Sequence, residues 1–274
     1  MFSYLHPFHA GNHADVLKHW LLIECVRYLQ LKSKPFVYID THSGNGMYRI
    51  DSVEALKTNE IFDGVLKINW ENYPELDLYR ELVSGELKNG NYPGSPSIVK
   101  QLLRADDTAW FFEMHPQVVK DLRVHCEKKG QCYVRQEDGF KGLLSLFPVP
   151  NGRALVLIDP SYEVKSDYHT VVDILQKAYK KMPQATLALW YPMVSRGTID
   201  ALEAKIKKTT LKNTQLYEMG VAEDAALGMT ASGMIIVNPP WTLSALYRRV
   251  AGRLSSALSK DGSERWRCEH LVAE

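Results

Sequence analysis

The chain has 274 residues, 45% of them hydrophobic and 24% charged, enough to build one large α/β domain with an insertion or two small domains. Its 33 lysines and arginines balance 32 acids, a formal charge of +1, so no global basic field marks a nucleic-acid partner and any RNA contact has to come from local patches. Cys25, Cys126, Cys132 and Cys268 form no C-x-x-C pair and no zinc-finger spacing, which suits reduced thiols. Met1 to Ala10 has neither the basic start nor the apolar run of a signal peptide, and no apolar stretch nears the roughly 20 residues of a membrane span. The expected location is therefore the cytoplasm.

Tyr4, His6, His9, His13 and His19 crowd the start of the chain. Asn12 and Asp15 resemble a capping box, and apolar residues from Val16 to Leu29 recur at helical spacing, which predicts a helix from His13 to Leu31. Four histidines raise the question of a metal, but no carboxylate pattern accompanies them, and none is expected. Pro35 to Asp40 reads as a short apolar strand ending in an acid. The turn Thr41-His42-Ser43-Gly44-Asn45-Gly46 follows, where glycines such as Gly44 let a ligand approach the backbone. A dinucleotide fingerprint would need glycine in place of Arg49 and an acid about 20 residues on, and has neither.

Residues 47–92 break the strand-helix rhythm with short helical patterns separated by Asn, Gly and Pro. They read as an inserted helical subdomain near the active face, the natural place for substrate recognition, between a main domain formed by 1–46 and 93–274. Ser95 is placed to cap a helix from Pro96 to Leu103. Thr108 to Phe112 is an aromatic strand tipped by Glu113, a position where a carboxylate meets ribose hydroxyls. A helix over 118–126 and a strand over 131–135 lead to Glu137-Asp138-Gly139.

Ala154 to Ile158 is five apolar residues, the pattern of a strand buried on both faces, and Asp159-Pro160-Ser161-Tyr162 follows it. Four strands thus end in Asp40, Glu113, Asp138 and Asp159, which predicts four carboxylates along one edge of a parallel sheet. The Asp159 carboxylate and the Pro160 carbonyl can accept the two hydrogens of an amino group, and Tyr162 can stack on the base that bears it. A helix over 167–181, a strand over 186–190 tipped by Tyr191-Pro192-Met193, a helix over 197–208, a hairpin of 214–219 with 231–238 and a closing helix over 241–258 complete the chain.

Several segments resemble the RlmJ-type 23S rRNA adenine-N6 methyltransferases, class I enzymes that use S-adenosylmethionine. They are the dodecamer Phe8 to His19, Asp40-Thr41-His42, Tyr92-Pro93-Gly94-Ser95-Pro96, Ala188-Leu189-Trp190-Tyr191-Pro192 and Met229 to Met234. The resemblance implies an α/β fold: a Rossmann-like, seven-stranded, mostly parallel sheet with helices on both faces and a helical insertion. It implies donor contacts from His19, His42, Ser95, Glu113, Asp138 and Gly139, a catalytic Asp159 with Pro160 and Tyr162, and an RNA contact from Tyr4. The partner would be 23S rRNA, free or in early assembly, met by a monomer.

One departure stands out, since the family's Asp-Pro-Pro-Tyr tetrad has Ser161 in third place here. The rival tetrad Asn238-Pro239-Pro240-Trp241 fits a methyltransferase pattern better by letter but follows the last strand expected. Lys18, Arg49, Lys57, Lys67 and Lys165 are candidate phosphate contacts, with scattered surface charge the simpler explanation for most. A DNA adenine methyltransferase and an inactive RNA-binding module are the competing readings.

Overall fold

The computed structural model describes residues 6–163, 167–224 and 228–273. In chain order the elements are α1 (His13–Gln30), β1 (Val37–Asp40), β2 (Met47–Arg49), α2 (Val53–Thr58), α3 (Asp77–Lys88), β3 (Asn91–Pro93), α4 (Ser95–Leu102), β4 (Thr108–Phe112), α5 (Pro116–Cys126) and β5 (Cys132–Arg135). They continue with α6 (Gly139–Leu146), β6 (Ala154–Ile158), α7 (Asp167–Lys181), β7 (Thr186–Met193), α8 (Arg196–Lys207), β8 (Thr214–Gly220), β9 (Ala231–Val237), α9 (Leu243–Leu258) and β10 (Trp266–Val272).

The main sheet runs β10-β8-β9-β7-β6-β1-β4-β5. From β5 to β7 all neighbours are parallel, while β9 is antiparallel to both β7 and β8, and β8 with β9 forms the expected hairpin. Alternation along each strand divides the core. Tyr38, Phe111, Leu155 and Leu157 pack with α1 and α9 on one face, and Ile39, Phe112, Val156 and Ile158 pack with α6 and α7 on the other. The strand count corrects the expectation of seven to eight among the described residues. The eighth, β10, pairs antiparallel with β8. Its irregular burial and a register shift near His270 leave no clean alternation in the sequence to announce a strand.

Helix α1 starts where Asn12 accepts hydrogen bonds from the Ala14 and Asp15 amides, while Asp15 reaches back to the Gly11 amide at 2.8 Å. It packs on the sheet at β6, β7 and β9, with α3, α4 and α9 around it. Even Asp15, Lys18 and His19 are buried as a result.

The 47–92 insertion is closed at its neck by an unforeseen antiparallel ladder, Met47↔Pro93 to Arg49↔Asn91, too short to leave a sequence period. Its Ile61, Val65, Tyr79 and Val83 join the same apolar cluster as α1. Lys67 donates to the carbonyls of Leu258 and Ser259, which makes it a tie to the end of α9 and corrects its candidacy as a phosphate contact. All four cysteines are free and buried. Among the described residues no helix is long and apolar enough to cross a membrane.

Candidate active site

Because β6, β1, β4 and β5 lie side by side, Asp159, Asp40, Glu113 and Asp138 follow one another along the carboxyl edge. Their environments differ. Asp40 is fully buried, accepting from Tyr38 Oη at 2.9 Å, Ser95 Oγ at 2.7 Å and the His42 amide at 3.3 Å. Ser95 is therefore the first residue of α4 and a partner of Asp40; Gly94 takes the N-cap position expected of Ser95. Burial pushes the Asp40 carboxyl up to about 6, from an ordinary 3.8. A folded state that holds its proton more tightly loses stability as pH rises from about 4 to about 6 and is level above that. Asp40→Asn is expected to flatten this slope in thermal melts taken across that window; an unchanged slope would assign it to another group.

The other three acids border a cavity of about 270 Å³. The same cavity is lined by His19, His42, Gly44, Ser95, Gly139 and Pro160, so these sequence-derived candidates converge on one space. Each Glu113 oxygen accepts one amide hydrogen bond, Oε2 from Gly44 at 3.1 Å and Oε1 from His115 at 2.7 Å, and each retains a lone pair. Asp138 caps α6 through Oδ1, which accepts from the Phe140 and Lys141 amides and leaves Oδ2 open. His42 sits edge-on to Phe140 at 4.9 Å, and burial lowers its pKa to about 4, so the ring is neutral near pH 7. His19 Nδ1 lies 2.7 Å from the Tyr92 hydroxyl, which in turn bonds Tyr79.

A second cavity, about 220 Å³, adjoins the first. Tyr162, Tyr168, Trp190, Pro192 and Met229 give it an aromatic and apolar lining, and His9 and Asn12 stand at another wall. The two cavities share Lys18, Asp159 and Ser161. Asp159 is thus in the partition between them. Tyr162 reaches its place through a left-handed backbone, φ 53°, a conformation costing about 1–2 kcal/mol for a residue with a side chain. Its hydroxyl donates to the Trp190 carbonyl at 2.6 Å and its ring lies 4.5 Å from that of Tyr168.

Lys18 corrects the sequence reading, which offered it as a phosphate contact. Its ammonium is buried 2.7 Å from Asp159 Oδ2 and 2.8 Å from Asp15 Oδ1, and 5.4 Å from the centre of a Trp190 ring. Burial works against that charge, but the two carboxylates outweigh it and raise the pKa well above the ordinary range. The i, i+3 pair Asp15–Lys18 is no distinguishing signal, since α1 also carries the i, i+3 pair Glu24–Arg27 at its exposed end. The remaining candidates disperse: Arg49 pairs with Asp51 at the surface, Lys57 lies 5.9 Å from the Phe8 ring centre, and Tyr4 and Lys165 fall outside the described residues.

The rival tetrad sits at the opposite edge. Strand β9 runs against β7, so Asn238 follows Val237 beside Leu187, at the amino end of β7. There its Nδ2 donates to the carbonyls of Pro183 and Ala185. Asn238→Ala is expected to lower the melting temperature while leaving turnover within about twofold, as a side chain remote from the cavities should. A large loss of turnover in a fully folded variant would reinstate this tetrad.

A family model described as Ribosomal RNA large subunit methyltransferase D, RlmJ, matches residues 33–272. The chain is 40% identical to the Ribosomal RNA large subunit methyltransferase J of Escherichia coli and 38% identical to that of Haemophilus influenzae, over the full length of each pair. A solved protein of Legionella pneumophila superposes with a TM-score of 0.87 at 31% identity, covering 96% of this chain and 98% of that one. A probable spermidine synthase from Corynebacterium glutamicum, 8% identical, superposes at 0.51 over 97% of this chain and 77% of its own, and shares the fold alone.

Proposed function

The chain belongs to the RlmJ family of ribosomal RNA large subunit methyltransferases, and from that membership we propose that it transfers a methyl group from S-adenosylmethionine to the N6 amine of an adenine in 23S rRNA. The observation that carries this reading is the position of Asp159, in the partition between two adjoining cavities.

The residues of the first cavity fit the donor. Lone pairs remain on Glu113 for ribose hydroxyls, and the open Asp138 oxygen suits an adenine amino group. Neutral His42 adds no charge to repel a cation. Gly139 lets the start of α6 pass against the Thr41 carbonyl, where a Cβ would come within 1.9 Å of the oxygen. When bound, S-adenosylmethionine supplies a methyl carbon made electrophilic by its sulfonium.

In the second cavity Tyr162, Tyr168 and Trp190 would grip the unstacked base. Lys18 engages Asp159 Oδ2, which sets the carboxylate plane and leaves Oδ1 for substrate. Asp159 Oδ1 and the Pro160 carbonyl would accept the two N6 hydrogens, favouring a pyramidal nitrogen whose lone pair is freed from the ring. Methyl transfer from a bound donor would leave positive charge on N6, with the thioether as leaving group. Asp159 would then take the proton that this charge acidifies.

A base that must leave its stack suits free or early-assembly RNA, met in the cytoplasm by a monomer. Labelled donor offered with protein-free 23S rRNA and with duplex DNA tests the substrate. Label in the RNA is expected; label in DNA alone would favour a DNA adenine methyltransferase. No donor binding by calorimetry would indicate an inactive module.

A further inference from the structure

We infer that Glu60 is a positioning residue of the insertion that fixes the wall of the second cavity formed by His9 and Asn12. This rests on the proposed reading of that cavity as the chamber for the target base. The insertion has nine acids against five bases between 47 and 92, the wrong sign for a surface that tracks phosphates. Recognition through the chamber wall needs no such field.

Both wall residues converge on one carboxylate. Glu60 Oε2 accepts from Asn12 Nδ2 at 2.8 Å and lies 3.0 Å from His9 Nδ1. The same two stretches meet along their backbones. The Val65 amide donates to the Gly11 carbonyl at 2.8 Å, and Thr58 Oγ1 donates to the Phe8 carbonyl. At Gly64 a Cβ would stand 2.1 Å from the Gly11 oxygen, so the chains pass in direct contact. Asn12 also caps α1, whose Asp15 and Lys18 lead to Asp159.

The hydrogen bond to Glu60 raises the His9 pKa against the opposing effect of burial, with the Asp15 carboxylate on α1 adding to the rise. His13, also on α1 and near Glu60, stays neutral because burial lowers it to about 4. The His9–Glu60 pair is complete below the ordinary imidazole pKa and weakens as pH rises through the raised one.

The test compares wild type, Glu60→Gln and Glu60→Ala in methylation of protein-free 23S rRNA, donor calorimetry, thermal melting and amide hydrogen exchange. Glu60→Ala should raise the KM for RNA roughly tenfold with turnover and donor affinity nearly unchanged, and should speed exchange at residues 9–12. The wild-type KM should climb as pH passes the raised His9 pKa, and Glu60→Gln, which keeps the volume, should flatten that climb. A wild-type KM in folded Glu60→Ala, or protected exchange at 9–12, overturns the inference. If the wild type methylates no RNA, the reading of the chamber fails, while exchange at 9–12 still reports on the clamp separately.

Discussion

Asp159→Ala is expected to lose most methyl transfer while donor affinity stays within a few-fold. The expected fall in turnover is about 10²–10⁴-fold, the usual contribution of a positioned proton acceptor. Affinity should survive because Glu113, Asp138 and the Gly44 and Gly139 backbone surround the larger part of the first cavity without it. The fold should survive too, since Lys18 keeps its 2.8 Å contact with Asp15 when its other partner is removed. Asp159→Asn separates charge from shape: it keeps one carbonyl acceptor but cannot take a proton or neutralise Lys18. Single-turnover rates with calorimetric donor titration check both variants. Turnover near wild type in either would move the chemistry elsewhere.

Gly139→Ala is expected to weaken donor binding. The added carbon would stand 1.9 Å from the Thr41 oxygen and 2.6 Å from the Thr41 carbonyl carbon, both backbone atoms that no rotamer change can move aside. Either α6 or the loop after β1 has to shift, and both border the first cavity, proposed to hold the donor, beside the open Asp138 oxygen. Overpacking of this kind costs about 1–3 kcal/mol, so affinity should drop by about 5- to 150-fold where the bound state bears that cost, and the melting temperature should fall with it. Gly197→Ala is the control, because a Cβ there meets nothing within 4 Å, and it should leave binding unchanged. Wild-type donor affinity in Gly139→Ala would show that the α6–β1 junction does not shape the cavity.

The sequence disclosed the sheet edge well because its signals are local. A strand buried on both faces is an apolar run, so Val37 to Ile39 and Ala154 to Ile158 were legible, and the acids that ended them fell at the tips. Side-by-side placement of Asp159, Asp40, Glu113 and Asp138 then followed from parallel pairing. The different fate of Asp40 did not, since it is buried and bonded by Ser95, 55 residues away.

What stayed hidden depends on tertiary proximity. Lys18 meets Asp159 across 141 positions, and only the burial of α1 distinguishes it from a surface lysine. The second cavity joins His9, Tyr162, Trp190 and Met229, which share no motif. Strands β2 and β3 have three residues each, below the length at which a two-residue period can be read, and β10 lacks regular alternation. The Asn238 tetrad matches by letter but not by place, and the strand direction that puts it at the far edge is a property of pairing.

The proposed reaction depends on a carboxylate oxygen and a carbonyl drawing on the two hydrogens of one exocyclic amine, so the measurement that bears on it most directly is the identity of the methylated atom. RNA reacted with the wild-type protein and labelled donor, digested to nucleosides and separated, should carry its label as N6-methyladenosine. Label on a ring carbon, a ring nitrogen or a ribose oxygen would contradict the role given to Asp159 and Pro160.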